Sequence, residues 1–178
     1  KRAKLNHEAE SVHLSGRFKI WPGVKNMKSG HEGAWQAHQT LIRNAKSRGK
    51  DCVLIFEDDV LFSEAFKKNA PRALRRILTF LGSSVGWEIF FFGSNVFEMQ
   101  AIEDRQDIVR VQSWALLAYV LNQNGMALFE NASYPHANGG TIDGISRDSH
   151  SSYMVYPAIA EHPSGVFSDT TGSRRGNN

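Results

Sequence analysis

The stretch DCVLIFEDDVLF, residues 51–62, sets an unbroken apolar run directly before a group of carboxylates. The run Cys52–Phe56 includes β-branched residues and no charged one, which predicts a strand buried on both faces, as in a parallel sheet covered by helices. The carboxylates of Glu57, Asp58 and Asp59 follow immediately. Ligands of open α/β sheets bind beyond the carboxyl ends of the strands, so these acids are placed where a ligand site is expected.

Consecutive carboxylates repel one another, and their burial beside an apolar strand is costly unless a cation compensates the charge. A hard divalent cation with oxygen ligands would satisfy the cluster and could bridge it to a diphosphate. The alternative is a solvated turn with an acidic helix start, because Asp and Glu favour helix N-termini. The acidic triplet leaves both interpretations open. It is also compatible with phosphatases, response-regulator pockets and nucleotidyltransferases.

Strands and helices alternate on both sides of this stretch, which predicts an α/β sandwich with a mainly parallel central sheet flanked by helices. A helix capped by Ser29 and stopped by Gly49 comes before the apolar strand, and a second helix is predicted to begin near Pro71. Periodicity and turn residues predict the remaining elements, which are a helix within residues 2–14, a short strand at 18–21, strands at 88–92, 114–121 and 153–159, and a helix capped by Asn122.

Composition and charge exclude several classes of protein. The net charge is +3, and the basic residues are not interleaved with aromatic ones along one face, so no nucleic-acid partner is expected. No apolar run reaches the roughly 20 residues of a membrane span. Cys52 is the sole cysteine, which excludes an internal disulfide and favours a small buried hydrophobe. We expect a cytoplasmic location, although the sequon at Asn131 leaves a secretory lumen open.

Several modest motifs occur in an order that is characteristic of one family. They are SGHEGAW (29–35), LIFEDDVLF (54–62), EIFFFGSN (88–95), WALLAYVLNQNGMALF (114–129), TIDG (141–144) and SGVFSDT (164–170). In this order the chain resembles glycosyltransferase family 25, which includes bacterial lipooligosaccharide galactosyltransferases and collagen galactosyltransferases. The resemblance spans about residues 17–172.

The resemblance implies a GT-A fold and a single domain over residues 1–178, with residues 173–178 as a flexible tail. It implies transfer of galactose or glucose from a UDP-sugar to a hydroxyl group, with inversion at the anomeric carbon. The acceptor would be a glycan, a lipid-linked glycan or a protein, and Mn²⁺ or Mg²⁺ would be required. The family opens with a strand and an Asn-Leu-Asp-Arg-like turn, which we expect to precede residue 1.

The resemblance and the acidic cluster together assign metal and donor binding. Asp59 is the first choice as a metal ligand and Asp58 the second, with Asp58 also expected at the donor. Glu57 is expected to orient this loop beside the donor. His162 is the best-placed third metal ligand, although a lone His is more often structural. Asp169 is expected either to contact the donor or to hold the end of the chain.

Asp143 is the predicted catalytic base, because it matches the acidic position of the family's Ile-Asp motif and the acceptor hydroxyl needs a base. Its alternative role is that of a turn-forming Asp before Gly144.

Two other functions remain as alternatives. A related metal-dependent nucleotidyltransferase would need a Gly-rich, basic phosphate loop after the first strand, and none is visible. A catalytically silent module that binds glycans or partners would keep the fold alone. The intact acids argue against such a module, whereas a missing nucleotide wall would favour it.

Overall fold

A computed structural model describes residues 2–163, apart from residues 15, 17, 26–28, 84 and 139. In chain order its elements are α1 (Arg2–Ser11), α2 (Gly30–Ser47), β1 (Cys52–Phe56), β2 (Leu61–Phe62), α3 (Glu64–Leu81), β3 (Ile89–Ile102), β4 (Arg105–Asn122), α4 (Gln123–Asn131), a 3₁₀ helix (Ile142–Arg147), β5 (Ser152–Val155) and β6 (Ala160–Glu161). No helix in this described part combines the length and apolar character needed to cross a membrane. The predicted tail at 173–178 lies outside it.

The main sheet is mostly antiparallel, so the predicted mainly parallel sheet is wrong, whereas the mixed α/β composition is confirmed. Its strands are ordered β1-β4-β3-β5, and β4 is antiparallel to β1, β3 and β5. Within the described residues, the pair β3–β5 is parallel. The reason is that β3 and β4 form one long hairpin, whose turn carries Asp104 at a φ of 61°. Asp tolerates this left-handed conformation better than most residues.

Strand β1 lies at one edge of the main sheet, so the prediction that it is buried on both faces is wrong. Leu54 is 41% exposed, and Cys52 is exposed rather than buried. The doubly buried segments are instead the first part of β3, residues 89–93, and the second part of β4, residues 116–121. Phe90 and Phe92 pack into a core shared with α1, α3 and β2, while Ile89 and Phe91 pack into a second core with α2 and α4. The sheet therefore separates two apolar layers.

Strand β3 does not end at Gly93, as the sequence predicted, but continues to Ile102. Gly93 serves a different purpose, because a Cβ there would lie 1.8 Å from the carbonyl oxygen of Ala160. The glycine therefore allows β6 to pack directly against the backbone of β3. Strands β2 and β6 form a separate two-stranded antiparallel sheet, with Leu61 opposite Glu161 and Phe62 opposite Ala160.

Three of the predicted helix termini are confirmed. The side chain of Ser29 accepts a hydrogen bond from the backbone N–H of Glu32 at 3.3 Å, and Gly49 takes a φ of 63° after α2. Asn122 caps α4 in the same way, through the N–H of Gly125 at 2.9 Å.

Helix α3 begins earlier than predicted. Its N-cap is Ser63, and Pro71 lies inside the helix rather than at its start. The backbone departs from helical angles at Asn69, where φ is −131° and ψ is 22°. This kink is expected, because proline removes a backbone donor and crowds the preceding turn. A helical segment does follow the kink, and in it Ile77 is buried while Leu78 is 66% exposed.

The predictions for the shortest strands are partly wrong. The last predicted strand, 153–159, is divided into β5 at Ser152–Val155 and β6 at Ala160–Glu161. Residues 18–21 form no strand. Short apolar runs become strands only where a neighbouring backbone accepts their hydrogen bonds, and the sequence of the run does not contain that partner.

Candidate metal and active site

The acidic turn is held at the end of β1 by backbone hydrogen bonds. The N–H of Glu57 donates to the carbonyl of Leu117 on β4 at 2.9 Å, and the N–H of Val60 donates to the carbonyl of Glu57 at 3.3 Å. Residues 58 and 59 occupy the turn. Asp58 is exposed, whereas Glu57 and Asp59 are partly buried. The turn therefore exposes one of the three carboxylates to solvent and partly buries the other two.

The β2–β6 pair brings His162 to this turn. Strand β2 follows the acids and β6 comes just before His162, and in an antiparallel pair the residues before Leu61 lie beside those after Glu161. The result is a distance of 3.6 Å between Nδ1 of His162 and Oδ1 of Asp59. The two side chains are 23% and 14% exposed.

The position of β6 depends on its contact with β3. The N–H of Ile159 donates to the carbonyl of Phe92 at 2.8 Å, immediately before the close approach at Gly93. His162 is therefore placed by the packing of backbone on backbone, and not by a flexible loop alone.

Glu57, Asp59 and His162 form a group that could hold a metal ion. Each offers one ligand atom, and these atoms all lie within 4.8 Å of one another. Two carboxylate oxygens and one imidazole nitrogen are suitable donors for a divalent transition metal such as Mn²⁺, whereas Mg²⁺ prefers oxygen donors throughout. The donor set therefore fits the predicted Mn²⁺ better than Mg²⁺. Asp58 does not belong to this group.

Asp143 lies in the first turn of the 3₁₀ helix, which packs on β4. Its Oδ1 accepts a hydrogen bond from the N–H of Leu116 at 3.0 Å, and its Oδ2 accepts one from the hydroxyl of Thr141 at 3.4 Å. The following glycine is required by space, because a Cβ on Gly144 would lie 2.2 Å from the carbonyl oxygen of Asn138. The helix therefore holds this carboxylate in one place.

Burial raises the pKa of Asp143 above its ordinary value. The hydrogen bonds from Leu116 and Thr141, together with nearby His31 at the start of α2, lower the pKa and oppose part of that effect. A carboxylate with a raised pKa is a stronger base than an exposed one, which suits proton transfer from a hydroxyl group. The same two hydrogen bonds also join the 3₁₀ helix to β4 and stabilise its first turn.

A hydrogen-bonded pair, the partly buried His38 and the buried Tyr119, lies near two of these acids. Nδ1 of His38 and the hydroxyl of Tyr119 are 2.6 Å apart, and the ring of Tyr119 also stacks on Phe129. Burial lowers the pKa of His38 to about 4, so its imidazole is neutral at pH 7. Burial, and then the nearby negative charges of Glu57 and Asp143, raise the pKa of Tyr119 well above its ordinary value.

The structure brings together most of the predicted site residues. Asp59 and His162 meet, and Glu57 joins them as a potential ligand rather than only orienting the loop. Asp143 lies at the adjoining part of β4. Asp169 lies outside the described residues. Sequence analysis missed Tyr119, because a tyrosine in an apolar strand carries no signal that distinguishes a place near Glu57 and Asp143 from ordinary packing.

Comparison with known proteins finds two similar curated proteins. One, from Rattus norvegicus, is named probable inactive glycosyltransferase 25 family member 3 and is 28% identical over 57% of this chain. The other, from Mus musculus, is named inactive glycosyltransferase 25 family member 3 and is 28% identical over 60% of this chain. The chain resembles the glycosyltransferase 25 family. This confirms the resemblance that the motifs indicated.

The likeness to glycosyltransferase 25 proteins concerns only part of those proteins. The matched region covers 18% of the rat protein and 19% of the mouse protein. No family model matches the chain. Both relatives carry the word inactive in their names, which is a statement about those proteins.

Proposed function

We propose that this chain is the metal- and donor-binding part of a glycosyltransferase that moves a sugar from a UDP-sugar to an acceptor hydroxyl. One observation carries the proposal. Two successive residues of β4 bind the two acids. The carbonyl of Leu117 accepts a hydrogen bond from the N–H of Glu57, which belongs to the potential metal site, and the N–H of Leu116 donates to the carboxylate of Asp143. The potential cation ligands and the candidate base are thereby attached to neighbouring residues of one strand, and both Glu57 and Asp143 raise the pKa of Tyr119. This supports a shared site, because transfer between a diphosphate donor and a hydroxyl group requires the metal and the base to act on one substrate pair.

In this proposal Glu57, Asp59 and His162 hold Mn²⁺. The bound ion would neutralise the charge that develops on the departing diphosphate. Asp58 is exposed in the same turn, and contact with the donor is its proposed role. The choice of Glu57 over Asp58 as a ligand is supported by the ligand distances within the group. Asp169 keeps its proposed part in donor binding.

Asp143 is the proposed base. It would take the proton of the acceptor hydroxyl while that oxygen attacks the anomeric carbon and the bond from this carbon to the UDP oxygen breaks. The hydrogen bonds from Leu116 and Thr141 fix the direction of its carboxylate. Attack opposite the leaving group would invert the configuration. Galactose and glucose are the proposed sugars.

Titration with UDP, in the presence and absence of Mn²⁺, tests the proposal. Calorimetry should show binding that requires Mn²⁺, and Asp59→Ala should abolish it. Glu103→Ala removes an exposed acid at the hairpin turn and serves as the control. Slow hydrolysis of a UDP-sugar by the wild-type chain would support transfer chemistry. UDP binding of equal strength with and without Mn²⁺ would contradict the proposed role of the metal.

A second candidate function is a catalytically silent module that binds glycans or partners. It is favoured by the names of the two relatives, both of which are called inactive. Binding of a glycan without metal, together with no hydrolysis of any UDP-sugar, would support this second function. The same titrations therefore separate the two candidates.

A further inference from the structure

An arginine held between two aromatic rings lies on the 3₁₀ helix that carries Asp143. The guanidinium carbon of Arg147 is 4.8 Å from the ring centre of Phe97 and 4.9 Å from that of Trp114. Phe97 belongs to β3 and Trp114 to β4, so the long hairpin supplies both rings. Contacts of this kind hold the guanidinium plane in a fixed orientation.

The polar edge of this guanidinium is available to a ligand. Phe97 is 56% exposed, and Arg147 is exposed as well. Among the described residues, no carboxylate forms an ion pair with Arg147. The acids nearest in sequence are engaged elsewhere, since Asp143 accepts from Leu116 and Asp148 contacts His136 and Asn138.

The location relates this arginine to the proposed reaction. Arg147 and Asp143 belong to the same six-residue 3₁₀ helix. Trp114, which Arg147 contacts, lies two residues before Leu116, which binds the Asp143 carboxylate. The in-plane N–H groups of an arginine match the paired oxygens of a carboxylate or a phosphate. The exposed ring of Phe97 offers an apolar surface to the C–H face of a sugar.

We propose that Phe97, Trp114 and Arg147 form an acceptor subsite for an acidic saccharide, whose carboxylate or phosphate group binds Arg147. The subsite places a hydroxyl of the same saccharide toward Asp143. This inference rests on the proposed function, because it treats Asp143 as the base that the acceptor faces.

Binding of three matched probes tests the subsite. Glucuronic acid, glucose 6-phosphate and glucose are titrated into the full chain, and the Nε–H resonance of Arg147 is followed by NMR. At least one acidic probe should shift this resonance at a concentration where glucose does not, and the two acidic probes distinguish a carboxylate from a phosphate. Arg147→Ala should weaken binding of that acidic probe by about tenfold or more. Arg72→Ala, which removes an exposed arginine on α3, should leave it unchanged.

Three results from these probes and variants would overturn the subsite, and a fourth comes from a parallel measurement of UDP binding. The three are equal binding of glucose and both acidic probes, full recovery of binding by Arg147→Lys, and loss of Mn²⁺-dependent UDP binding in Arg147→Ala. The last result would assign the arginine to the donor instead. Mn²⁺-dependent UDP binding by the wild-type chain is measured in parallel. Absence of this binding would refute the proposed function. If UDP binds but Arg147→Ala binds the acidic probes as tightly as the wild type, the subsite alone is refuted.

Discussion

Glu57 and Asp143 are far apart in the sequence but are held by successive residues of β4. The backbone N–H of Glu57 donates to the carbonyl of Leu117, and the carboxylate of Asp143 accepts from the N–H of Leu116. Both carboxylates also lie close enough to Tyr119 to raise the pKa of its hydroxyl. The two acids therefore belong to one electrostatic environment, although different elements supply them.

The first prediction concerns which acids bind the metal. Glu57→Gln should weaken Mn²⁺ binding by at least about tenfold, because a neutral amide replaces one of the two carboxylates in the group of three. Asp58→Asn is the matched control, since its carboxylate is exposed and outside that group. Isothermal titration with Mn²⁺ measures both variants. A larger loss in Asp58→Asn than in Glu57→Gln would show that the ligands are assigned wrongly.

The second prediction concerns Asp143→Asn. The amide oxygen can still accept from Leu116, so UDP binding should be retained, while turnover should fall by about 10²- to 10⁴-fold because the base is lost. Steady-state kinetics and calorimetry measure the two effects separately. Full transfer activity in this variant would refute the assignment of the base.

Asp143 should also give the chain a dependence of stability on pH. Because burial raises its pKa, the folded chain binds this proton more tightly than the unfolded chain. Its contribution to stability is complete below the ordinary pKa of 3.8 and is lost as the pH rises through the folded pKa. Asp143→Asn should therefore gain stability relative to wild type at neutral pH, and the gain should shrink as the pH falls toward 3.8. Urea unfolding over this range checks the sign.

The third prediction concerns His38, whose pKa shift has the opposite sign. Its folded pKa is lowered from 6.5 to about 4, so the unfolded chain binds the proton more tightly. Stability from this group is present above pH 6.5 and is lost as the pH falls toward about 4. The total loss should be at most about 3 kcal/mol. In His38→Gln that part of the acid destabilisation should be absent, and an unchanged pH profile would contradict the argument.

The fourth prediction concerns Gly93→Ala. The added Cβ would meet the carbonyl of Ala160, so β6 must shift and take His162 away from Asp59. We expect a loss of about 1–3 kcal/mol in stability together with weaker Mn²⁺ binding. Gly86→Ala is the matched control, because nothing lies within 4 Å of a Cβ at that position. Thermal unfolding with and without Mn²⁺ measures both effects, and unchanged metal affinity in Gly93→Ala would contradict the placement of His162.

Local features of the fold were predictable from the sequence. Strand β1 and the caps at Ser29 and Asn122 depend on residues within one or two turns of each other, so the sequence contains their causes. The acidic turn after β1 was likewise identified from its residues. The direction of the neighbouring strands, parallel or antiparallel, was not predictable from the sequence. An apolar run such as residues 88–92 has the same composition in a parallel and in an antiparallel sheet.

The sequence by itself determined the mixture of helices and strands, the position of the acids after β1 and the resemblance to glycosyltransferase family 25. Only the tertiary structure decided that β1 is an edge strand and that Glu57 rather than Asp58 approaches Asp59 and His162. It also decided that Asp143 is bound by the residue of β4 next to the one that binds Glu57. The physical reason is one of distance along the chain. Capping and periodicity act between near neighbours, whereas the direction of a carboxylate in a turn is set by strands that the chain supplies many residues later.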